Sequence, residues 1–355
     1  MSATYRAVGW TRSKIIYDII LVAGVCLYLV AYIRLAPLIR PAEIRLDGPS
    51  HLIRAFGTCA FILLSLVLMI GPLARIDTRF LPLLYNRRHF GIITCTVAGA
   101  HILAVFDWYL AFSPLSPWIA VLVVDASFGN ARGFPYLPFG AVAFVILLLL
   151  AATSHDFWLN FLSPPVWKTL HMSIYAAYAL IIAHVAFGAL QDARNPGLAL
   201  LICAMAACVT ALHLVAAKLE RQRHFANIGK ARADLWVEAG PLTQFNEGRG
   251  RALILESGEA VAVFRHDNQL SAISNLCAHQ NGPLAEGRVH SGKVICPWHG
   301  YEYCLRNGRA PAPYSEKLAT YRVKLENGIV FIHPSANAPG TDVEPVALPE
   351  GSGKP

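Results

Sequence analysis

The sequence predicts an α-helical six-span membrane bundle followed by a small all-β domain. Three observations carry this. The chain of 355 residues is 55% hydrophobic and only 15% charged, too apolar for a water-soluble protein of its size. The apolarity is concentrated in long uncharged runs that end near Ala217. Beyond that point polar and apolar residues alternate in short runs, the pattern of half-buried strands. The net charge of +8 does not call for nucleic acid, because the basic residues gather at the ends of the apolar runs.

A helix needs about 20 apolar residues to cross the hydrocarbon. Six stretches come close: Ile15 to Ile33, Leu52 to Ile70, Phe90 to Phe112, Tyr136 to Ala152, Leu170 to Leu190, and Gly197 to Ala217. Trp118 to Val124, set between Pro117 and Asp125, is too short to cross and is expected at the interface. The run after Lys14 has no small-residue cleavage site before Arg34, so it reads as a span and not as a cleaved signal. Cys26, Cys59, Cys95, Cys203 and Cys208 lie inside the apolar runs, where a thiol behaves as a small hydrophobe. On one side of the membrane fall Arg6, Arg12, Lys14, Arg75, Arg79, Arg87, Arg88, Lys168, Lys218, Arg221 and Arg223. The other side holds the smaller set Arg34, Arg40, Arg45, Arg54, Arg132 and Arg194. This bias places both termini in the cytoplasm.

Ionisable side chains in the bilayer are costly and mark sites or partners. His101 lies in the third span, and His171 and His184 in the fifth. Counted from Arg88 and Lys168 at the inner face, His101 is roughly 20 Å deep and His184 roughly 24 Å, so the two can meet. His89 and His171 sit within roughly 5 Å of the inner surface. Two histidines from different helices at one depth suit bis-imidazole ligation of a b-type haem. The competing reading is that each imidazole bonds a backbone carbonyl or a hydroxyl on another helix. Helical phase aligns neither His171 with His184 nor His89 with His101, which leaves one or two haems open. His213 competes with His89 at the inner level, and His51 is a further candidate at the outer one.

"RRHFGIITCTVAGAH", "LAATSHDF" and "WKTLHMSIYAAYALIIAH" resemble the ferric reductase-like transmembrane domain, in particular the haem-binding membrane subunit of the bacterial methionine sulfoxide reductase system. The resemblance covers roughly residues 50 to 190. It implies haem ligands at His101, His171 and His184 and a bacterial cytoplasmic (inner) membrane location. His89 is outside that pattern, and its candidacy rests on depth alone.

Residues 1–217 are thus expected to form the membrane domain. Residues 218–232, charged and helix-compatible, are expected to form a linker helix, residues 233–333 a β domain, and residues 334–355, rich in Pro, Gly and Ala, a disordered tail. Asn327-Gly328 between "YRVKLE" and "IVFIH" is a two-residue hairpin signal. "CAHQNGPLAEGRVHSGKVICPWHG" carries Cys277-x-His279 and Cys296-x-x-His299, two loops each offering a thiolate and an imidazole as metal ligands. Zinc accepts the same donors. The motif and its surroundings resemble the Rieske ferredoxins, which implies a [2Fe–2S] cluster with two cysteines on one iron and two histidines on the other. Where respiratory Rieske proteins have a loop-bridging disulfide, Gly282 and Trp298 stand here. Tyr301 replaces their serine, and Tyr303 remains placed to donate to sulfur. A potential below the respiratory type is expected.

No G-x-G-x-x-G follows a strand, so the sequence offers no dinucleotide site. The expected function is electron transfer between a cytoplasmic cluster and haem in the bilayer. The expected donor is a cytoplasmic reductase or ferredoxin, and the expected acceptor an extracytoplasmic protein, a metal chelate or a quinone. The competing function is a membrane-anchored redox sensor or scaffold. An oxygenase would need a further iron held by two histidines and a carboxylate, and no such grouping is evident.

Overall fold

In lipid a spanning segment must satisfy its own backbone, so uncharged runs of this length become helices. The structure, a computed structural model, describes residues 12–39, 46–80, 83–84, 86–112, 116, 118–119, 135–154, 158, 162, 164–191, 196–226, 230–231, 236–278, 281–297, 300–312 and 314–349. Most of the expected interfacial stretch from Trp118 to Val124 lies outside them. The chain divides into two units, Met1–Ala216 and Ala217–Pro355.

The first unit is helical: α1 Arg12–Ile39, α2 Gly48–Ile76, α3 Arg87–Phe112, α4 Leu137–Ala152, α5 Pro164–Met172, α6 Ile174–Phe187 and α7 Pro196–Ala226, which runs on into the second unit. Among the described residues, five stretches are long and apolar enough to cross a membrane: Lys14–Leu38, Gly48–Ile76, Arg87–Trp108, Val166–Gln191 and Pro196–Gln222. The sixth, α4, is apolar but only 16 residues long. α5 and α6 belong to one stretch, interrupted at Ser173, whose hydroxyl donates to Leu170 O at 2.6 Å. Prolines in the first turns of α2 and α4 cost no hydrogen bond there.

One apolar cluster joins α2, α3, α4, α6 and α7 through Phe61, Leu64, Cys95, Leu147, Tyr178 and Ile202. Its polar pin is the Ser65 hydroxyl, 3.0 Å from the Tyr178 phenol, beside Phe61 stacked on the same ring at 5.5 Å. A second cluster packs α1 on α2 and α3 through Val25, Leu63, Val67 and Phe90. Leu27, Leu200 and Leu214 face outward, as lipid-facing side chains must.

The second unit holds two antiparallel sheets. The smaller has the order β1 (Lys230–Ala231), β2 (Val237–Pro241), β11 (Ile329–Ile332), β10 (Val323–Glu326). The larger runs β12 (Val346–Ala347), β5 (Gln269–Ser274), β4 (Ala260–His266), β3 (Arg249–Ile254), β6 (Arg288–His290), β7 (Lys293–Ile295), β8 (Glu302–Cys304), with β9 (Thr320–Tyr321) on β5. Val261, Val263, Leu270, Val330 and Ile332, all fully buried, form the core. Asn327 (φ 51°) and Gly328 (φ 75°) make the expected two-residue turn between Glu326 and Ile329. Asp267-Asn268 and Ser291-Gly292 make the same turn between β4 and β5 and between β6 and β7.

Two expected boundaries are corrected. Within the expected linker helix of residues 218–232, the described helix runs to Ala226, whereas Lys230–Ala231 pairs with Val237–Glu238 as strand. The tail beyond residue 333 is folded as far as Pro349: Val346 and Ala347 pair with β5, Val343 N–H donates to Arg306 O at 2.9 Å, and Leu348 is buried in the core. Its composition suggested disorder, but Val343, Val346 and Leu348 give it apolar anchors.

Candidate functional site

In the β unit the two cysteine loops share one backbone design. Cys277 N–H donates to Gly282 O at 3.0 Å and Cys277 O accepts from Asn281 N–H at 2.7 Å. Cys296 N–H donates to Tyr301 O at 2.7 Å and Cys296 O accepts from Gly300 N–H at 3.0 Å. Each loop closes through a residue of positive φ, Asn281 at 58° and Gly300 at 74°, residue types that adopt this region readily. β6 and β7 lie between the loops, and the strand after the second loop, β8, carries Tyr303. Cys277 and Cys296 are buried, 1% and 0% exposed. The Tyr303 hydroxyl lies 3.5 Å from Cys277 Sγ. Burial first, and then the neighbouring Cys277 sulfur, push the Tyr303 phenol above its ordinary value, so it keeps its proton and would donate it to Cys277 as a metal-bound thiolate. Tyr301, which replaces the respiratory serine, is buried and packs its ring 5.0 Å from Tyr314. His279 and His299 lie outside the described residues. The two buried thiols and their phenol donor fit a thiolate-held iron–sulfur cluster.

In the membrane unit His101 of α3 and His184 of α6 come together, their ring centroids 6.3 Å apart and their planes at 81°. Two imidazoles sharing one metal ion at about 2 Å each would have centroids roughly 6 Å apart. His101 Nδ1 is 3.0 Å from Ile53 O, and His184 Nδ1 is 3.0 Å from Tyr136 O. A carbonyl only accepts, so each Nδ1 carries the proton and each Nε2 keeps the lone pair a metal needs. The carbonyl reading and the ligand reading of these histidines therefore hold together: one nitrogen serves each.

The other histidines are not gathered here. His89 Nδ1 is 2.7 Å from Asp18 Oδ2 of α1, so the expected pairing with His171 is not what the structure brings together. His171 stacks on Trp167 at 3.7 Å with Nδ1 bonded to Trp167 O, and its Nε2 is buried without a hydrogen-bond partner among the described residues. His213 is held by the Tyr175 hydroxyl at 3.0 Å, and His51 contacts Ile33 O at 3.3 Å. The residues that seat His101 and His184, Ile53 in α2 and Tyr136 immediately before α4, were missed in the sequence because they act through backbone.

Fold and site together define an integral membrane protein with an iron–sulfur redox domain. Residues 56–182 match the family described as ferric reductase like transmembrane component, and residues 235–322 match the Rieske [2Fe-2S] domain. Through its C-terminal region the chain belongs to the Rieske [2Fe-2S] family, and with the match of its membrane region to the ferric reductase like component it is a membrane electron-transfer protein. It is 33% identical over 98 residues to the 3-phenylpropionate/cinnamic acid dioxygenase ferredoxin subunit of Shigella flexneri serotype 5b, covering 27% of this chain and 91% of that protein. It is 31% identical over 98 residues to the naphthalene 1,2-dioxygenase system ferredoxin component of Pseudomonas putida, covering 27% and 93%. Among solved structures it is similar to the Sphingomonas yanoikuyae B1 ferredoxin, at 30% identity and a TM-score of 0.26 over 27% of this chain and 95% of that one.

Proposed function

We propose that this protein carries single electrons across the bacterial cytoplasmic membrane, between a cytoplasmic Rieske domain and the outer side of the bilayer. Its residues 1–217 serve as the membrane domain. His101 and His184 would hold one b-type haem through their Nε2 atoms. The observation that carries this is the facing pair of imidazoles 6.3 Å apart, each with Nδ1 turned to a carbonyl. A [2Fe–2S] cluster and a haem, when bound, supply one-electron chemistry that no side chain here offers.

What the chain contributes is orientation and dielectric. Cys277, His279, Cys296 and His299 hold the cluster, and Tyr303 donates to a sulfur ligand. Ile53 O and Tyr136 O fix the tautomers of the haem ligands, and the apolar helices exclude water around them. His171, with its buried Nε2, is the remaining candidate for a second haem. His89 is assigned to its contact with Asp18 instead. The greater basic charge of the loops flanking the termini supports a cytoplasmic β domain. A reductase or ferredoxin of the cytoplasm is the donor, and an extracytoplasmic protein, a metal chelate or a quinone the acceptor.

Haem per chain and the Soret spectrum test the assignment in the full-length protein. His101→Ala and His184→Ala are expected each to lower haem content by one per chain, with loss of that haem's low-spin spectrum. His89→Ala and His171→Ala are expected to retain it. Haem content per chain left unchanged by His184→Ala contradicts the pairing.

A further inference from the structure

We infer that α2 with α3, and α4 with α6, are two copies of one imidazole-seating unit, and that Gly57 and Gly140 are its positioning residues. The inference rests on the haem reading above and adds to it the elements that aim the ligands. In both units a histidine Nδ1 meets the carbonyl of a residue 48 positions earlier in the chain. In both, a glycine stands one helical turn after that carbonyl: Gly57 after Ile53, Gly140 after Tyr136. The sequences around the glycines repeat as well. "FGTCAFILL" from Phe56 to Leu64 aligns without gaps on "FGAVAFVIL" from Phe139 to Leu147, with Phe, Gly, Ala, Phe and Leu at matching positions. One constant offset superposes Ile53, Gly57 and His101 on Tyr136, Gly140 and His184.

The physical reason for glycine is the path of a helix carbonyl. It points along the axis toward the residue one turn on, whose side chain would cover the approach to it. A Cβ at Gly57 would lie 3.1 Å from His101 Cε1 and Nδ1. A Cβ at Gly140 would lie 2.8 Å from His184 Nδ1 and 3.0 Å from Cε1. Each imidazole thus lies directly on the helix surface that its glycine leaves bare. An added methyl pushes the ring off its carbonyl and turns Nε2 away from the shared central position. The tighter contact at Gly140 makes its substitution the more damaging.

The test uses the full-length protein with Gly57→Ala and Gly140→Ala. Gly24→Ala, with no atom within 4 Å of the new methyl, and Gly99→Ala, whose methyl meets Phe144 at 3.8 Å, are controls. Near-perpendicular imidazole planes give a strongly anisotropic low-spin ferric EPR signal, which reports ring orientation independently of assembly. Gly140→Ala is expected to weaken haem retention about tenfold or more, as loss of an outer-sphere partner does. Gly57→Ala is expected to show a smaller loss together with a changed anisotropy. Both should stay monodisperse and keep the Rieske EPR signal, and the controls should match the parent protein. Parent-like haem content and EPR in both glycine variants would overturn the inference while leaving the haem reading intact. A parent protein without haem would instead defeat the reading beneath it.

Discussion

Tyr303 shows how much a single side chain can set. Its hydroxyl is buried, stays protonated and lies 3.5 Å from the Cys277 sulfur, so it stabilises the more negative, reduced cluster. Tyr303→Phe removes that donor and keeps the ring. A loss of about 1 kcal/mol of differential stabilisation corresponds to a fall of roughly 40 mV in a one-electron couple. Redox titration followed by EPR measures the shift, and an unchanged or raised potential contradicts the donor role. The two cysteine loops were legible in the sequence because Cys-x-His and Cys-x-x-His are local spacings. His101 and His184 were legible because an imidazole in lipid is conspicuous and depth can be counted. The contact of His89 with Asp18 is long-range, and no local pattern encodes it. Gly57 and Gly140 did leave a signal, the repeated Phe-Gly stretch, but it is visible only when the spans are compared with one another.

At the scale of elements, the apolar runs fixed the helices closely, and the fifth run is interrupted at Ser173, between His171 and His184. The Asn-Gly hairpin appeared where its turn chemistry placed it. The C-terminal tail is the instructive failure. Its Pro and Gly content reads as disorder, yet burial of Leu348 (5% exposed) and pairing of β12 with β5 make it part of the β core. Leu348→Ala is therefore expected to destabilise the β unit by about 2 kcal/mol or more. Denaturant unfolding of the full chain, followed through the cluster absorbance, measures it, and a midpoint equal to the parent's contradicts a folded tail. At the other end, Lys230–Ala231 joins the smaller sheet because β2 offers an edge to pair with, information held in tertiary structure and not in local propensity.

For the whole molecule, one chain joins a Rieske domain that matches dioxygenase ferredoxins to a membrane unit of the ferric reductase type. To the region that matches these ferredoxins the membrane unit adds an apolar bundle in which two imidazole rings lie 6.3 Å apart. Electron flow between the units is what separates a transmembrane carrier from a sensor that merely registers cytoplasmic potential. Rapid mixing of the full-length protein with a limiting reductant, watched at the cluster and Soret bands together, tests it most directly. Reduction of the cluster is expected to be followed by reduction of the haem, and His101→Ala should abolish the second phase. A haem that stays oxidised beside a fully reduced cluster would contradict transmembrane electron transfer.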